Sequence, residues 1–123
     1  MKRAFFYWTP VLLYMLSVFL VSVSPNPPKL PEIWQMDKMA HFGAYAVMGL
    51  LWARALYSKP GLAVESKVLR RIVLPVVVTA LFGAFIEVCQ MYVPGRSAEA
   101  LDALANGLGG FSGVVVYGRI RYR

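Results

Sequence analysis

The sequence has one cysteine and one histidine, and this scarcity limits the chemistry that it can hold. A single cysteine, Cys89, allows no disulfide within the chain. A single histidine, His41, leaves too few nitrogen and sulfur ligands for a zinc site of the usual kind, so any metal site would be rich in oxygen. No serine or cysteine stands where a catalytic nucleophile is expected, and no repeat or low-complexity tract marks a second domain.

Acidic residues are also scarce, because six aspartates and glutamates stand against 13 lysines and arginines, a net charge of +7. An excess of positive charge is common in proteins that bind nucleic acid. Here, however, the basic residues form no stripe along a helix and no patch interleaved with aromatic residues; they lie between and beyond apolar segments. We therefore expect no nucleic-acid partner.

Apolar residues, in contrast, make up 59% of the 123 residues, and the mean hydropathy is +0.57. The surface of a soluble domain of this size does not tolerate so much apolar area. Four segments are long and apolar enough to cross a bilayer core of about 30 Å as helices. These segments are residues 5–23, 39–57, 72–92 and 101–117. The sequence predicts an all-α polytopic membrane protein, a bundle of four transmembrane helices forming one domain over residues 1–123.

The short connections between these segments require neighbouring helices to run in opposite directions. Ten lysines and arginines then fall at the end that carries both termini, and three, Lys29, Lys38 and Arg96, fall at the other end. By the positive-inside rule, both termini are cytoplasmic. The start of the chain is similar to a secretory signal peptide, but Pro25 directly after its apolar stretch disfavours cleavage, so we expect the first helix to be retained.

Polar residues gather in pairs at the outer ends of three helices. Asp37 and His41 are four residues apart and share a helix face, which Tyr45 extends by one turn. The other members are Glu87 and Gln90 near the end of the third helix, Asp102 and Asn106 at the start of the fourth, and Arg96 in the turn between them. Charged groups inside a bilayer cost about 2.5 to 3.5 kcal/mol at its centre and persist when they are paired or functional.

The fourth helix carries small residues at regular intervals, including Ala105, Gly109 and Gly113. This spacing is typical of membrane helices that approach one another closely. We therefore expect the fourth helix to pack through Gly109 and Gly113 and to bring Asn106 within reach of the second or third helix.

Four motifs follow one another along the chain: DKMAHFGAY at 37–45, EVCQ at 87–90, PGR at 94–96 and DALAN at 102–106 before further glycines. In this order they resemble the VanZ-like family of bacterial integral membrane proteins, from residue 36 onward. The resemblance implies an inner (cytoplasmic) membrane protein of the cell envelope. It also implies a link to antibiotic resistance, since the family is named after a member tied to low-level resistance to the glycopeptide teicoplanin. It does not imply a settled reaction.

One function consistent with these features is an outer-leaflet polar pocket that binds, or also modifies, a lipid, a cell-wall precursor or a glycopeptide-type amphiphile. In this hypothesis His41 or Glu87 acts as the acid or base, and Asp37 orients His41. Arg96 holds an anionic group and pairs with Glu87 or Asp102 over the mouth of the bundle. The further ligand-binding candidates are Lys38, Tyr45, Gln90, Asp102 and Asn106.

The alternative is a non-enzymatic structural membrane protein in which the same polar cluster only locks the helix bundle. A metal variant of the pocket would use Asp37, His41, Glu87 and Asp102 to hold magnesium, calcium or manganese. We expect no metal and no cofactor, and membrane lipids as partners. A transporter is disfavoured, because the inner halves of the helices carry no ionisable residue except Arg54, which can reach the inner interface.

Overall fold

A computed structural model describes residues 1–26, 29, 36–57, 67–97 and 99–121. Within these residues the chain forms four α-helices and no strand, so the all-α prediction is confirmed. The helices are α1 (Lys2–Val23), α2 (Met36–Tyr57), α3 (Leu74–Met91), which continues from a π-helical stretch (Leu69–Val73), and α4 (Ala100–Arg121). The connections between the first and second segments and between the second and third segments fall largely outside the described residues.

At one end, α1, α2 and α4 each extend three or four residues beyond the predicted apolar segment, and the π-helical stretch before α3 begins three residues before the third segment. Hydropathy marks only the part of a helix that suits the hydrocarbon, whereas backbone hydrogen bonding continues into the charged residues that flank it. As a result Pro10 lies well inside α1, and Arg70 and Arg71, which precede the predicted segment 72–92, are helical. Pro75 lies in the first turn of α3, directly after the π-helical stretch.

Contacts at both ends of the bundle show that successive helices alternate in direction. At one end Trp8 of α1 lies edge-on to Trp52 of α2, with ring centroids 5.6 Å apart. At the opposite end, Gln90 Nε2 of α3 donates to the Ser22 carbonyl of α1 at 3.1 Å. We call this second end, where α1 and α3 finish and α2 and α4 begin, the distal end. The start of α1 and the finish of α4 therefore share the other end.

The closest helix pair is α2 and α4, which pack through glycine. A Cβ atom added to Gly109 or Gly113 of α4 would collide with a backbone carbonyl of α2, and one added to Gly49 of α2 would collide with the carbonyl of Gly110. Small residues of this kind let two helix backbones touch. The predicted packing through Gly109 and Gly113 is confirmed, and Gly49 and Gly110 extend the same contact.

Two helical segments are long and apolar enough to cross a membrane within the described part of the chain. They are Lys2–Val23, with a mean hydropathy of 1.8, and Leu69–Met91, with a mean hydropathy of 2.4. Their large apolar side chains face outward, among them Leu12, Leu16 and Leu81. An outer surface of this composition is stable in lipid rather than in water, so the two helices indicate a membrane protein.

Candidate functional site

A cavity of about 470 Å³ lies between α1 and α2 at the distal end. Three of its polar lining residues, Asp37, His41 and Tyr45, follow one another at intervals of one turn along α2, as their spacing indicates. The rest of the lining consists of Ser17, Val18, Val21 and Ser22 of α1, Ala40 and Ala44 of α2, Gln90 of α3, and Arg96 in the turn before α4. The structure thus brings five of the proposed site residues to one cavity.

Arg96 holds the end of α1 beside this cavity. Its Nε donates to the carbonyl of Ser24 at 3.2 Å, and its Nη2 donates to the carbonyl of Val21 at 3.1 Å. The last carbonyls of a helix have no partner within the helix, and a cation near them is favourable. Arg96 therefore caps α1, with Gln90 bonding the same terminus.

The prediction that Arg96 forms an ion pair with Glu87 or Asp102 is wrong. Among the described residues, the Arg96 side chain bonds backbone carbonyls of α1, and the cation beside Asp102 is Lys38. A guanidinium in a turn can satisfy its donors on carbonyls as well as on carboxylates. Asp102 does not need Arg96, because a lysine on the neighbouring helix already reaches it.

Lys38 lies at the centre of three carboxylates. Its Nζ is 2.8 Å from Asp37, 2.6 Å from Glu99 and 2.7 Å from Asp102. The Lys38 side chain is only 17% exposed and that of Asp102 12%, so the pair between them is shielded from water and links α2 to α4. We call these four residues the Lys38 cluster.

The bonds within the Lys38 cluster shift the pKa values of Lys38 and Asp37, which lie just before the apolar part of α2. The bond to Asp102, followed by those to Asp37 and Glu99, raises the pKa of Lys38 well above its usual value. The bond from Lys38 in turn lowers the pKa of Asp37. Both groups therefore stay charged at neutral pH.

The three acidic residues of the Lys38 cluster are close enough together to be compared with a metal site. Oxygens of Asp37, Glu99 and Asp102 lie within 4.8 Å of one another, whereas the metal variant considered above would have required His41 and Glu87. The ammonium of Lys38 stands among these oxygens and neutralises part of their charge. The arrangement is that of an ammonium held by carboxylates.

His41 connects the cavity to α4. Its Nδ1 lies 3.0 Å from Oδ1 of Asn106, and its Nε2 lies 3.7 Å from Oδ2 of Asp102. The expected approach of Asn106 to a neighbouring helix is therefore confirmed. Asp37, the predicted orienting carboxylate, bonds Lys38 instead, so the carboxylate beside the imidazole is Asp102.

Behind the cavity, polar atoms of three helices are buried together. The Tyr45 hydroxyl, both carboxylate oxygens of Glu87 and the Asn106 Nδ2 make no hydrogen bond within the described part of the chain. Tyr45 and Asn106 are each 2% exposed, and Glu87 is 9% exposed. The Glu99 backbone N–H lies near the Glu87 carboxylate without the geometry of a hydrogen bond. These groups keep the capacity to bind a further polar partner.

Gly83 of α3 allows this buried group to form. A Cβ atom there would lie 3.0 Å from a ring carbon of Tyr45 and 3.4 Å from the Asn106 side chain. Glu87 lies one turn further along the same face of α3. Tyr45, Glu87 and Asn106 therefore converge from three helices, as their positions in the sequence indicate.

Sequence reasoning missed the contribution of α1. Ser17 and Ser22 line the cavity, and the carbonyls of Val21 and Ser24 receive Arg96. None of these residues is charged, and backbone carbonyls leave no mark in a sequence. The two serines within an otherwise apolar helix were the available signal.

No curated protein and no solved structure matches the chain. A family model described as VanZ/LLP1 matches residues 3–121, which include the whole cavity lining and the Lys38 cluster. The resemblance indicated by the four sequence motifs is thus confirmed. Because this match covers nearly the entire sequence, the chain belongs to the VanZ/LLP1 family.

Proposed function

We propose that the protein crosses the bacterial inner membrane four times, with both termini in the cytoplasm, and binds the polar head of an amphiphile in its distal cavity at the outer leaflet. The observation that carries this proposal is the cavity itself. Its volume of about 470 Å³ is within the range of small-molecule sites. Its lining joins apolar residues to a group of charged and hydrogen-bonding residues, as an amphiphile requires.

The distribution of charge supports this orientation. The end opposite the distal end carries most of the described basic residues, namely Lys2, Arg3, Arg54, Lys67, Arg70, Arg71, Arg119 and Arg121. Aromatic pairs gather at the same end, with Trp8 against Trp52 and Tyr57 against Tyr117. An excess of basic residues marks the cytoplasmic side, whereas aromatic pairs are typical of a membrane interface on either side.

Both kinds of lining residue have a part in binding. Val18, Val21 and Ala44 offer an apolar wall along which the upper part of an acyl chain can lie. Arg96 offers a cation for a phosphate or carboxylate, since its Nη1 is not used in holding α1. Because the cavity lies between α1 and α2, an amphiphile can reach it from the bilayer by passing between these helices.

Any chemical step at this site would use His41 and Glu87. His41 lines the cavity, and Glu87 lies buried behind it with an unused carboxylate. A histidine next to a carboxylate can exchange a proton with a bound ligand. Binding alone requires neither group to react, so binding is the primary proposal and the reaction its extension.

A structural lock is the second candidate, and one observation favours it. Lys38 joins α2 to Asp102 of α4 at 2.7 Å in a shielded position. This contact supports a locking role for the Lys38 cluster. It does not account for the cavity, to which Lys38, Glu99 and Asp102 contribute no lining.

The test is to fill the cavity without altering its charge. Ala44→Phe places a ring in the lining, and Ala84→Phe places the same ring on the exposed side of α3 as the matched control. Each variant would be purified in a mild detergent and its bound lipids identified by native mass spectrometry. We expect Ala44→Phe to lose an amphiphile that wild type and Ala84→Phe retain. An unchanged bound species in Ala44→Phe, at equal melting temperature, would exclude this cavity as the site.

A further inference from the structure

We infer that the amphiphile bound in the distal cavity is zwitterionic, with a phosphate that binds Arg96 and a primary ammonium that binds Asp37. This inference rests on the proposed function and specifies the class of its ligand. It follows from opposite charges of the cavity that do not pair with each other, from the balance of charge around the cavity and from the contacts of Lys38.

Opposite charges line one cavity without pairing with each other. Asp37 and Arg96 both belong to the lining, yet no ion pair joins them within the described part of the chain. Oδ2 of Asp37 accepts from Lys38, and Nε and Nη2 of Arg96 donate to carbonyls of α1. Within the described part of the chain, no other side chain bonds Oδ1 of Asp37 or Nη1 of Arg96. A ligand that carries both signs of charge can satisfy the two together.

The balance of charge at the distal end also favours a zwitterionic ligand. The cavity lining and the Lys38 cluster contain three carboxylates, Asp37, Glu99 and Asp102, against two permanent cations, Lys38 and Arg96. The buried Glu87 adds to the acidic side when it is ionised. A purely anionic head would increase this excess. A zwitterion adds no net charge and supplies a cation next to Asp37.

The contacts of Lys38 show how carboxylates at the distal end bind a primary ammonium, the cationic group proposed for the ligand. Three carboxylates hold it at 2.6 to 2.8 Å. Asp37 is one of them, and its side chain is 59% exposed, so its second oxygen can accept from another ammonium. A primary ammonium donates three hydrogen bonds, whereas a quaternary ammonium donates none. The site therefore favours a primary amine over a trimethylated one.

The test compares three phospholipids with identical acyl chains on the full-length protein in detergent micelles. Phosphatidylethanolamine carries a phosphate and a primary ammonium, phosphatidylcholine a phosphate and a quaternary ammonium, and phosphatidylglycerol a phosphate alone. Dissociation constants would be measured by native mass spectrometry. We expect phosphatidylethanolamine to bind about tenfold more tightly than phosphatidylglycerol, as one hydrogen bond between charged groups predicts. Phosphatidylcholine should bind more weakly than phosphatidylethanolamine.

Two charge-removing variants show whether Asp37 causes this preference. Asp37→Asn should reduce the affinity for phosphatidylethanolamine to that for phosphatidylglycerol. Glu99→Gln removes the same charge from the Lys38 cluster without touching the cavity, so it should keep the preference. Loss of the preference to the same extent in both variants would overturn the assignment to Asp37. Melting temperatures of both variants verify that the bundle is intact.

The outcomes separate this inference from the proposed function. Phosphatidylglycerol that binds as tightly as phosphatidylethanolamine would overturn the zwitterionic ligand and leave amphiphile binding intact. Water-soluble phosphoethanolamine that binds as tightly as the lipid would support recognition of the head and contradict the need for an amphiphile. Failure of all the phospholipids and of phosphoethanolamine to bind would contradict both proposals.

Discussion

His41 of α2 and Asn106 of α4 meet through a 3.0 Å contact between Nδ1 and Oδ1, although 65 residues separate them in the chain. The contact depends on the closeness of the two helices, which their glycines permit. It joins a residue of the cavity lining to the polar group buried behind it. The glycines of α4 and the polar pairs of the sequence therefore belong to one arrangement.

Gly113→Ala should destabilise the bundle, because the added methyl group would collide with the α2 backbone at Ala46. We expect a loss of about 1 to 3 kcal/mol, the usual cost of overpacking, or failure to accumulate in the membrane. The measurement is the melting temperature in detergent, with Gly107→Ala as the control. A Cβ on Gly107 has no neighbour within 4 Å, so that variant should be neutral or slightly stabilising. Equal melting temperatures would contradict the packing described here.

Much of the arrangement could be predicted, because helical periodicity fixes which residues share a face. The spacing of Asp37, His41 and Tyr45 placed them along one side of α2, and the spacing of Gly109 and Gly113 indicated the contact of α4. The sequence also indicated that the polar pairs meet at one end, since short connections make helices alternate.

The hydrogen-bond partners of the Arg96 and Lys38 side chains could not be predicted from the sequence. Arg96 and Lys38 have flexible side chains that reach several acceptors, and the acceptors chosen by Arg96 are backbone carbonyls, which any helix end presents. The register of α1 against α2 could not be predicted from the sequence either. It is set by contacts such as the bond from the Tyr14 hydroxyl to the Ala44 carbonyl at 2.8 Å, which no pattern of apolar residues indicates.

Lys38→Met should destabilise the protein and create a dependence on calcium. The substitution leaves oxygens of Asp37, Glu99 and Asp102 within 4.8 Å of one another without their cation. We expect a loss of about 3 kcal/mol, at the low end for removing one member of a shielded ion pair. Calcium favours clusters of carboxylate oxygens, so it should raise the melting temperature of the variant and not that of wild type. The double variant Lys38→Met, Glu99→Gln should respond less, and an equal response would contradict the cluster.

The stabilisation by Lys38 should be independent of pH over a wide range. The raised pKa of Lys38 means that its contribution is complete below its unfolded value of about 10.4 and is lost only as pH rises through the folded value. The lowered pKa of Asp37 means that its contribution is complete above about 3.9 and is lost as pH falls through the folded value. The difference in melting temperature between wild type and Lys38→Met should therefore stay constant from about pH 5 to 9 and shrink below about pH 4. A steady decline across neutral pH would contradict this assignment.

His41→Gln should impair function while leaving the fold intact. Glutamine can keep a hydrogen bond to Asn106, so we expect a loss of stability of no more than about 1 kcal/mol. It cannot exchange a proton as imidazole does. Lipid and cell-wall precursor profiles of cells with wild type, the variant or no protein would measure the effect at matched protein abundance. A profile of His41→Gln identical to that of wild type would exclude an acid–base function of this residue.

The proposed topology places the distal end outside the cytoplasm, and single cysteines can test it. Ser24 and Ser97 flank the Arg96 contact at the distal end, whereas Lys67 precedes the π-helical stretch at the other end. Single cysteines would be introduced at these three positions in a background with Cys89→Ala. Cells would then be treated with a thiol reagent that passes the outer envelope but does not cross the intact cytoplasmic membrane. We expect labelling of Ser24→Cys and Ser97→Cys, and labelling of Lys67→Cys only after lysis, because the basic end should remain in the cytoplasm. The reverse pattern would place the cavity at the inner leaflet and contradict an outer-leaflet ligand, while leaving the geometry of the cavity unchanged.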